Sequence, residues 1–454
     1  MAQPEVPQMA SQNEQPKPCY LGALAPELLD LIFFETDSVC ALANFIATAG
    51  FIYHRFGQRK RSILWRVVQN ELGPVLVDAM FLRLFPYAEP GRPHYWEAYW
   101  DRIHDGGALY REMFAEDTRA VDHGPPRHAP PSLAELTELC RTLHHVNFLA
   151  SAYIAVQLRS FSTEGNLAAA PPSRTERQRV LRAFYLRQIV SNAWAPARRQ
   201  PNCVEEDLAA LSNTSDHRGV RLGLFAAWEP WELQQIDHAN KFVTQLCVAL
   251  CLAGAEQPAA RRIGKLEFGD IFSHADHLAR YMQAHPSVAG AALRALPSLL
   301  GLGNQEARVA AAPPPDDIDM FIRQYCMLPL RFAWQYLCSE TFPDPAREQR
   351  EADSSGGAQA GGASLNFGGD AVKSPPFGWV DALDGRYLNW YGEALDSHPR
   401  ITPVPRDDES PPPLHRSLNL WRSAGFTLWD RRRVEAMKEV NRFKTLQTGW
   451  ALKW

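Results

Sequence analysis

Between its proline- and glycine-rich breaks, the chain places apolar residues at helical spacing. The clearest stripe is Ile236, Ala239, Val243, Leu246, Cys247 and Leu250, which share one helix face. Pro230 opens that helix where a missing N–H costs nothing, and Glu232 suits its positive end. A second stripe, Leu136, Leu139, Cys140 and Leu143, runs on into Val146, Leu149, Ala150 and Tyr153. Near the C-terminus Thr427 and Asp430 have capping-box-like spacing ahead of Val434, Met437, Val440 and Phe443, which predicts a closing helix. No sustained two-residue alternation flanked by hairpin turns occurs, so the pattern predicts an all-α fold.

The breaks divide the chain. Clusters of Pro, Gly and Ala at residues 1–18, 124–131, 168–173, 307–317, 344–376 and 402–413 read as loops or linkers. The stretch holding Ser354, Ser355, Gly356, Gly357, Gly361 and Gly362 lacks the large apolar residues that would offset its ordering entropy. The expected organisation is a disordered tail at 1–19, a compact three-helix unit at 20–75, and a larger irregular helical body at 76–342 packed with it. A disordered linker follows at 343–376, and a C-terminal segment at 377–454 docks on the body through Trp379, Trp390, Trp421 and Trp429. No internal repeat of fixed period occurs, which excludes a solenoid of identical units.

Composition narrows the function classes. Among 454 residues, 46% are apolar and 22% charged, as in a globular protein, and 13 Trp call for aromatic anchors between helical layers. With 47 basic and 51 acidic residues the net charge is −4, so no overall field draws the chain to nucleic acid or to an anionic membrane, and neither partner is expected. No apolar run is long enough to span a bilayer, and the first twenty residues do not follow a signal-peptide pattern; the expectation is an intracellular protein, of cytoplasm or nucleus. The eight cysteines are scattered, with Cys247 and Cys251 one turn apart, and read as small buried hydrophobes in a reducing compartment.

Candidate chemistry is sparse. His274, Asp276 and His277 place two imidazoles on one side of a helix with a carboxylate between them, but no third ligand or general base stands at a set position. His144 and His145 face different sides of theirs. There is no Gly-x-Ser-x-Gly elbow, no phosphate-binding loop and no dinucleotide fingerprint. No catalytic residue, metal or cofactor is therefore expected. The basic cluster Arg55, Arg59, Lys60, Arg61 and Arg66 reads as a solvated helix face, as does the run Arg431, Arg432, Arg433. Tyr95, Trp96, Tyr99 and Trp100, and farther on Trp228 and Trp231, read as core rather than as interface anchors.

The most informative segment opens with Leu24, Ala25, Pro26, Glu27, Leu28 and Leu29. Pro26 starts a helix whose residues Leu28, Leu31 and Ile32 share an apolar face, and Leu42, Phe45, Ile46 and Ala49 line one side of a second helix. At Leu24, Pro26, Glu27, Leu28, Leu31 and Ile32 the sequence resembles the F-box family, with Ala25 where many members carry Pro and Glu35, Thr36, Asp37 in a region that is often apolar. The resemblance implies an F-box-like three-helix unit that docks through those six residues on the adaptor subunit of a cullin-RING ubiquitin ligase. It also implies a substrate receptor that presents a protein target. The rest is similar to F-box-like proteins of filamentous fungi, a group whose C-terminal body has no assigned chemistry. That similarity lies at Ser62, Ile63, Leu64, Gln69, Asn70, Glu71, Leu72, Gly73 and Pro74, at Pro230, Trp231, Glu232 and Leu233, and at Gly425, Phe426, Leu428, Trp429 and Asp430. A helical scaffold with no ubiquitin role is the alternative, expected to bury Leu28, Leu31 and Ile32 as core. An enzyme would need a deep pocket of convergent ionisable groups.

Overall fold

A computed structural model describes residues 20–84, Tyr110, Glu112 and residues 131–161, 167–194, 228–255, 275–299, 369–378 and 424–439. The described residues are predominantly helical and include no strand, so the fold is all-α. Two compact units divide the chain: residues 1–72 with 129–137, and residues 73–128 with 138–454.

In the first unit a short 3₁₀ turn (Tyr20–Ala23) leads into α1 (Pro26–Glu35), α2 (Val39–Ala47) and α3 (Gly50–Leu72). Pro26 occupies the first position of α1, and Ser38 caps α2 by accepting a hydrogen bond from the Ala41 N–H at 3.1 Å. Both helices pack on α3. Their shared core is Phe33, Leu42, Ile52, Phe56, Ile63 and Val67, with Phe33 meeting Phe45 edge-on at 5.3 Å. Burial of each such side chain contributes about 1.5–3 kcal/mol. The α1–α2 connection is stapled by the far end of α3. The Asn70 amide donates to the carbonyls of Phe34 (2.7 Å) and Thr36 (3.0 Å), and the Glu71 carboxylate accepts from the Val39 N–H at 2.7 Å. These bonds satisfy backbone groups that helix ends leave open. Helical geometry in α3 breaks at Arg59, with φ −128° and ψ 22°.

The second unit contains α4 (Leu76–Leu82), α5 (Leu133–Phe161, whose residues through Thr137 belong to the first unit), α6 (Arg174–Trp194) and α7 (Pro230–Ala255). It continues with α8 (Ala275–Ala284), α9 (Pro286–Leu299) and α10 (Arg431–Lys438). Helix α6 packs against α4 and α7, and α7 also against α9. The stripe on α7 is fully buried, and on α5 Leu136, Leu139, Leu143, Val146, Leu149 and Tyr153 are buried with Cys140 half-buried. Trp228 is buried too, edge-on to Tyr110 at 6.1 Å.

Helix α6 carries an unusual load of buried polar groups: Glu176, Gln178, Arg179, Arg182, Arg187 and Gln188. Glu176, Arg179 and Arg182 each pair with an opposite charge. The Arg182 guanidinium donates to Asp78 (3.1 Å), to Glu232 and to the Tyr110 hydroxyl (3.0 Å), and that hydroxyl donates to Asp78 at 2.6 Å. Arg433 donates to both oxygens of Glu176 (2.7 and 2.9 Å) and to the Ala168 carbonyl. Arg179 pairs with Asp430 at 2.9 Å. Burial of each ion costs several kcal/mol, which the pairing and its hydrogen bonds offset only in part.

The spacing of Thr427 and Asp430 predicts a capping box, and the structure differs. Asp430 precedes α10 but its carboxylate accepts from Ser173 and Arg179 instead of capping the helix. The Thr427 hydroxyl is turned inward to His238 Nδ1 at 3.1 Å. Tertiary partners outcompete the local cap. The tail at 1–19, the linker glycines at 356–362, Tyr95, Trp96, Tyr99, Trp100, His274, Trp379, Trp390, Trp421, Val440 and Phe443 lie outside the described residues. Among the described residues no helix is long and apolar enough to cross a membrane.

Candidate functional site

Helix α1, Pro-Glu-Leu-Leu-Asp-Leu-Ile-Phe-Phe-Glu, has apolar side chains around most of its circumference. Its inward residues are Leu29, Asp30 and Phe33. Leu28, Leu31 and Ile32 point the other way and are 47%, 56% and 38% exposed. Spaced at i, i+3 and i+4, they lie on one face. Pro26 and Glu27 are exposed at the start of the helix and Leu24 is half-buried just before it. Five of the six residues singled out in the motif thus reach solvent around one helix.

The outward face belongs to a wider distribution. Among the described residues, six of the seven large exposed hydrophobics fall in the first unit: Leu28, Leu31, Ile32, Phe51, Tyr53 and Leu133, with Leu167 alone in the second. Scattered exposed apolar side chains need no explanation; the three on α1 differ in sharing one helix face.

Asp30 organises the opposite side of α1. Arg55 donates to both of its oxygens, Nε to Oδ1 at 2.9 Å and Nη2 to Oδ2 at 2.6 Å, and Arg59 Nη1 donates to Oδ2 at 2.7 Å. The Arg59 guanidinium also lies 5.2 Å from the Phe34 ring centroid, a cation–π distance. The hydrogen bond from Arg55, joined by that from Arg59, outweighs burial and holds the Asp30 carboxyl below its ordinary range; Arg55 is raised in turn by its bond to Asp30. Two members of the basic cluster are therefore ion-paired rather than simply solvated. Arg61 donates to the Pro131 carbonyl at 2.9 Å, while Lys60 and Arg66 are exposed.

Sequence reasoning does not find Asp30. The signal, one carboxylate inside an otherwise apolar stretch with arginines 25 and 29 positions later, becomes meaningful only when the fold brings α1 onto α3.

The remaining candidates do not assemble. His277 is half-buried on α8, and among the described residues no three His, Cys, Asp or Glu side chains are grouped to hold a metal ion. His145 is buried and His144 exposed on α5, and contrary to the expectation that they face different sides their ring centroids lie 5.3 Å apart. In the second unit, the cluster Asp78, Tyr110, Arg182 and Glu232 brings together two carboxylates, a phenol and a guanidinium, all buried. The guanidinium's three bonding nitrogens all point at protein partners, and burial together with the charge of Asp78 pushes the Tyr110 hydroxyl far above its usual range. That chemistry is structural. A comparison with family models, with curated proteins and with solved structures finds no match to this chain.

Proposed function

We propose that the chain is a protein-binding module that acts as an F-box-type substrate receptor, with α1 docking on the adaptor subunit of a cullin-RING ubiquitin ligase. The observation that supports this reading is the outward apolar face of Leu28, Leu31 and Ile32 on a helix whose other side already supplies the unit's core. A scaffold using these residues as core would bury them; they are among the most exposed large aliphatics described. Leu24, Pro26 and Glu27 frame the face at its start, and Pro26 fixes where the helix begins.

A receptor of this kind contributes no catalytic group. It raises the local concentration of a bound protein target beside the transfer machinery, an effect set by geometry rather than by new bonds. In this reading the second unit carries the target contacts, and the target is a protein of unknown identity.

Co-purification of the full chain with the ligase adaptor tests the reading. Wild type retains the adaptor, and Leu28→Asp combined with Ile32→Asp loses it while keeping the helical circular dichroism of wild type. Absence of adaptor from wild-type preparations overturns the proposal and leaves the helical scaffold as the better account.

A further inference from the structure

The sequence of α1 does not by itself say which of its sides faces inward. Leu28, Leu29, Leu31, Ile32, Phe33 and Phe34 surround the helix, and rotating it about its axis would exchange Leu29 and Phe33 for Leu28, Leu31 and Ile32 at the core. Burying three aliphatic side chains is worth at least as much as burying one leucine and one phenylalanine. Counting apolar side chains alone does not select the rotation, although the alternative would also expose Phe33 and turn Glu35 inward.

The structure nevertheless turns inward the side that carries a carboxylate. Asp30 is 6% exposed and surrounded by the Arg55 fork and Arg59 Nη1. Turned outward, the carboxylate would regain water, but the two guanidinium groups would lose their acceptor. Asn70 holds the end of α1 through the Phe34 and Thr36 carbonyls, main-chain groups that carry no record of side-chain pattern. Glu35, exposed seven positions after Leu28 on the outward face, disfavours the alternative, and Asp30 is the polar side chain that holds the observed rotation from the inward side.

We propose that Asp30, through Arg55 and Arg59, is a positioning residue that holds the rotation of α1 and thereby keeps Leu28, Leu31 and Ile32 as the face offered to a protein partner. A single polar group setting the register of an apolar helix has precedent in coiled coils, where one buried asparagine fixes alignment at a cost in stability. The choice of partner face rests on the docking reading above; the rotational role of Asp30 does not.

Hydroxyl-radical footprinting of the full chain, read residue by residue by mass spectrometry without any partner, tests this. In wild type, Leu28, Leu31 and Ile32 are oxidised and Leu29 and Phe33 protected. In Asp30→Leu, which removes the one inward carboxylate of α1, oxidation at Leu28, Leu31 and Ile32 falls and Phe33 gains it, while helical circular dichroism is retained. A folded Asp30→Leu chain with the wild-type footprint overturns the proposal. Should Asp30→Leu fail to fold, the paired change Arg55→Gln with Arg59→Gln removes the partners and is judged by the same footprint. Adaptor binding read in parallel separates the two claims: wild type that never binds the adaptor refutes the docking reading, whereas an unchanged footprint refutes the positioning role alone.

Discussion

Arg55 grips Asp30 with two parallel hydrogen bonds, of 2.9 and 2.6 Å, and so ties the middle of α1 to α3. Bidentate pairing of this kind is the strongest geometry a guanidinium and a carboxylate form. Everything outward on α1 inherits its direction from that grip.

The pair carries a pH signature. Its carboxyl ionises more readily in the folded chain than its ordinary value of 3.8, so the folded state binds fewer protons there than the unfolded state. The stabilisation is therefore complete above the ordinary value and lost as pH falls through the lower, folded one. Denaturant unfolding of wild type and Asp30→Asn across pH 2–7 should show wild type more stable near neutrality and the difference closing only at the acid end. A difference that grows on acidification would contradict the assignment.

Asn70→Ala should loosen the α1–α2 connection by removing the donor to the Phe34 and Thr36 carbonyls. The expected cost is about 1–2 kcal/mol, from two partly buried hydrogen bonds. Amide exchange should quicken across residues 34–39 while α7 keeps its protection, a contrast that hydrogen-exchange mass spectrometry reads directly.

In the second unit Arg182 neutralises two buried carboxylates, Asp78 and Glu232. Arg182→Met strands both and should destabilise the chain by roughly 3–5 kcal/mol. Adding Asp78→Asn and Glu232→Gln should recover part of that loss in thermal unfolding, since the stranded charges are then gone.

Gly425 sits at φ +72°, and a Cβ there would collide with the Tyr153 hydroxyl, itself fully buried and pushed above its ordinary range by that burial. Gly425→Ala should therefore destabilise by more than the ~1 kcal/mol that a left-handed backbone alone costs. Introduced into a Tyr153→Phe background, where the oxygen is absent, the same change should cost less. Equal costs in the two backgrounds would show that the backbone conformation dominates.

The all-α class and the stripes on α5 and α7 are legible in the sequence because burial there is one-sided, and one-sided burial writes a 3.6-residue period. Ile236, Val243, Leu246 and Leu250 are buried as their spacing implies. Helix α6 leaves no such trace: Arg179, Arg182, Glu176 and Gln188 are buried, yet their partners Asp430, Asp78, Arg433 and Ala275 lie 87 to 257 positions away. Pairing over such distances is set by the tertiary fold and is invisible to any local window. The same reason hides Asp30, and it turns Asp430 from an expected cap into the acceptor of Ser173 and Arg179. On α1 the period is readable but its direction is not, because each side combines apolar residues with a carboxylate, Asp30 inward and Glu35 outward.

Docking of the outward face of α1 on an adaptor subunit is read by equilibrium binding of the purified chain to purified adaptor. Wild type should bind saturably, and Leu31→Asp, in a chain that keeps wild-type helicity, should weaken binding at least ~10-fold, or about 1.4 kcal/mol. Wild type that does not bind, or a folded Leu31→Asp chain that binds as tightly as wild type, would contradict it.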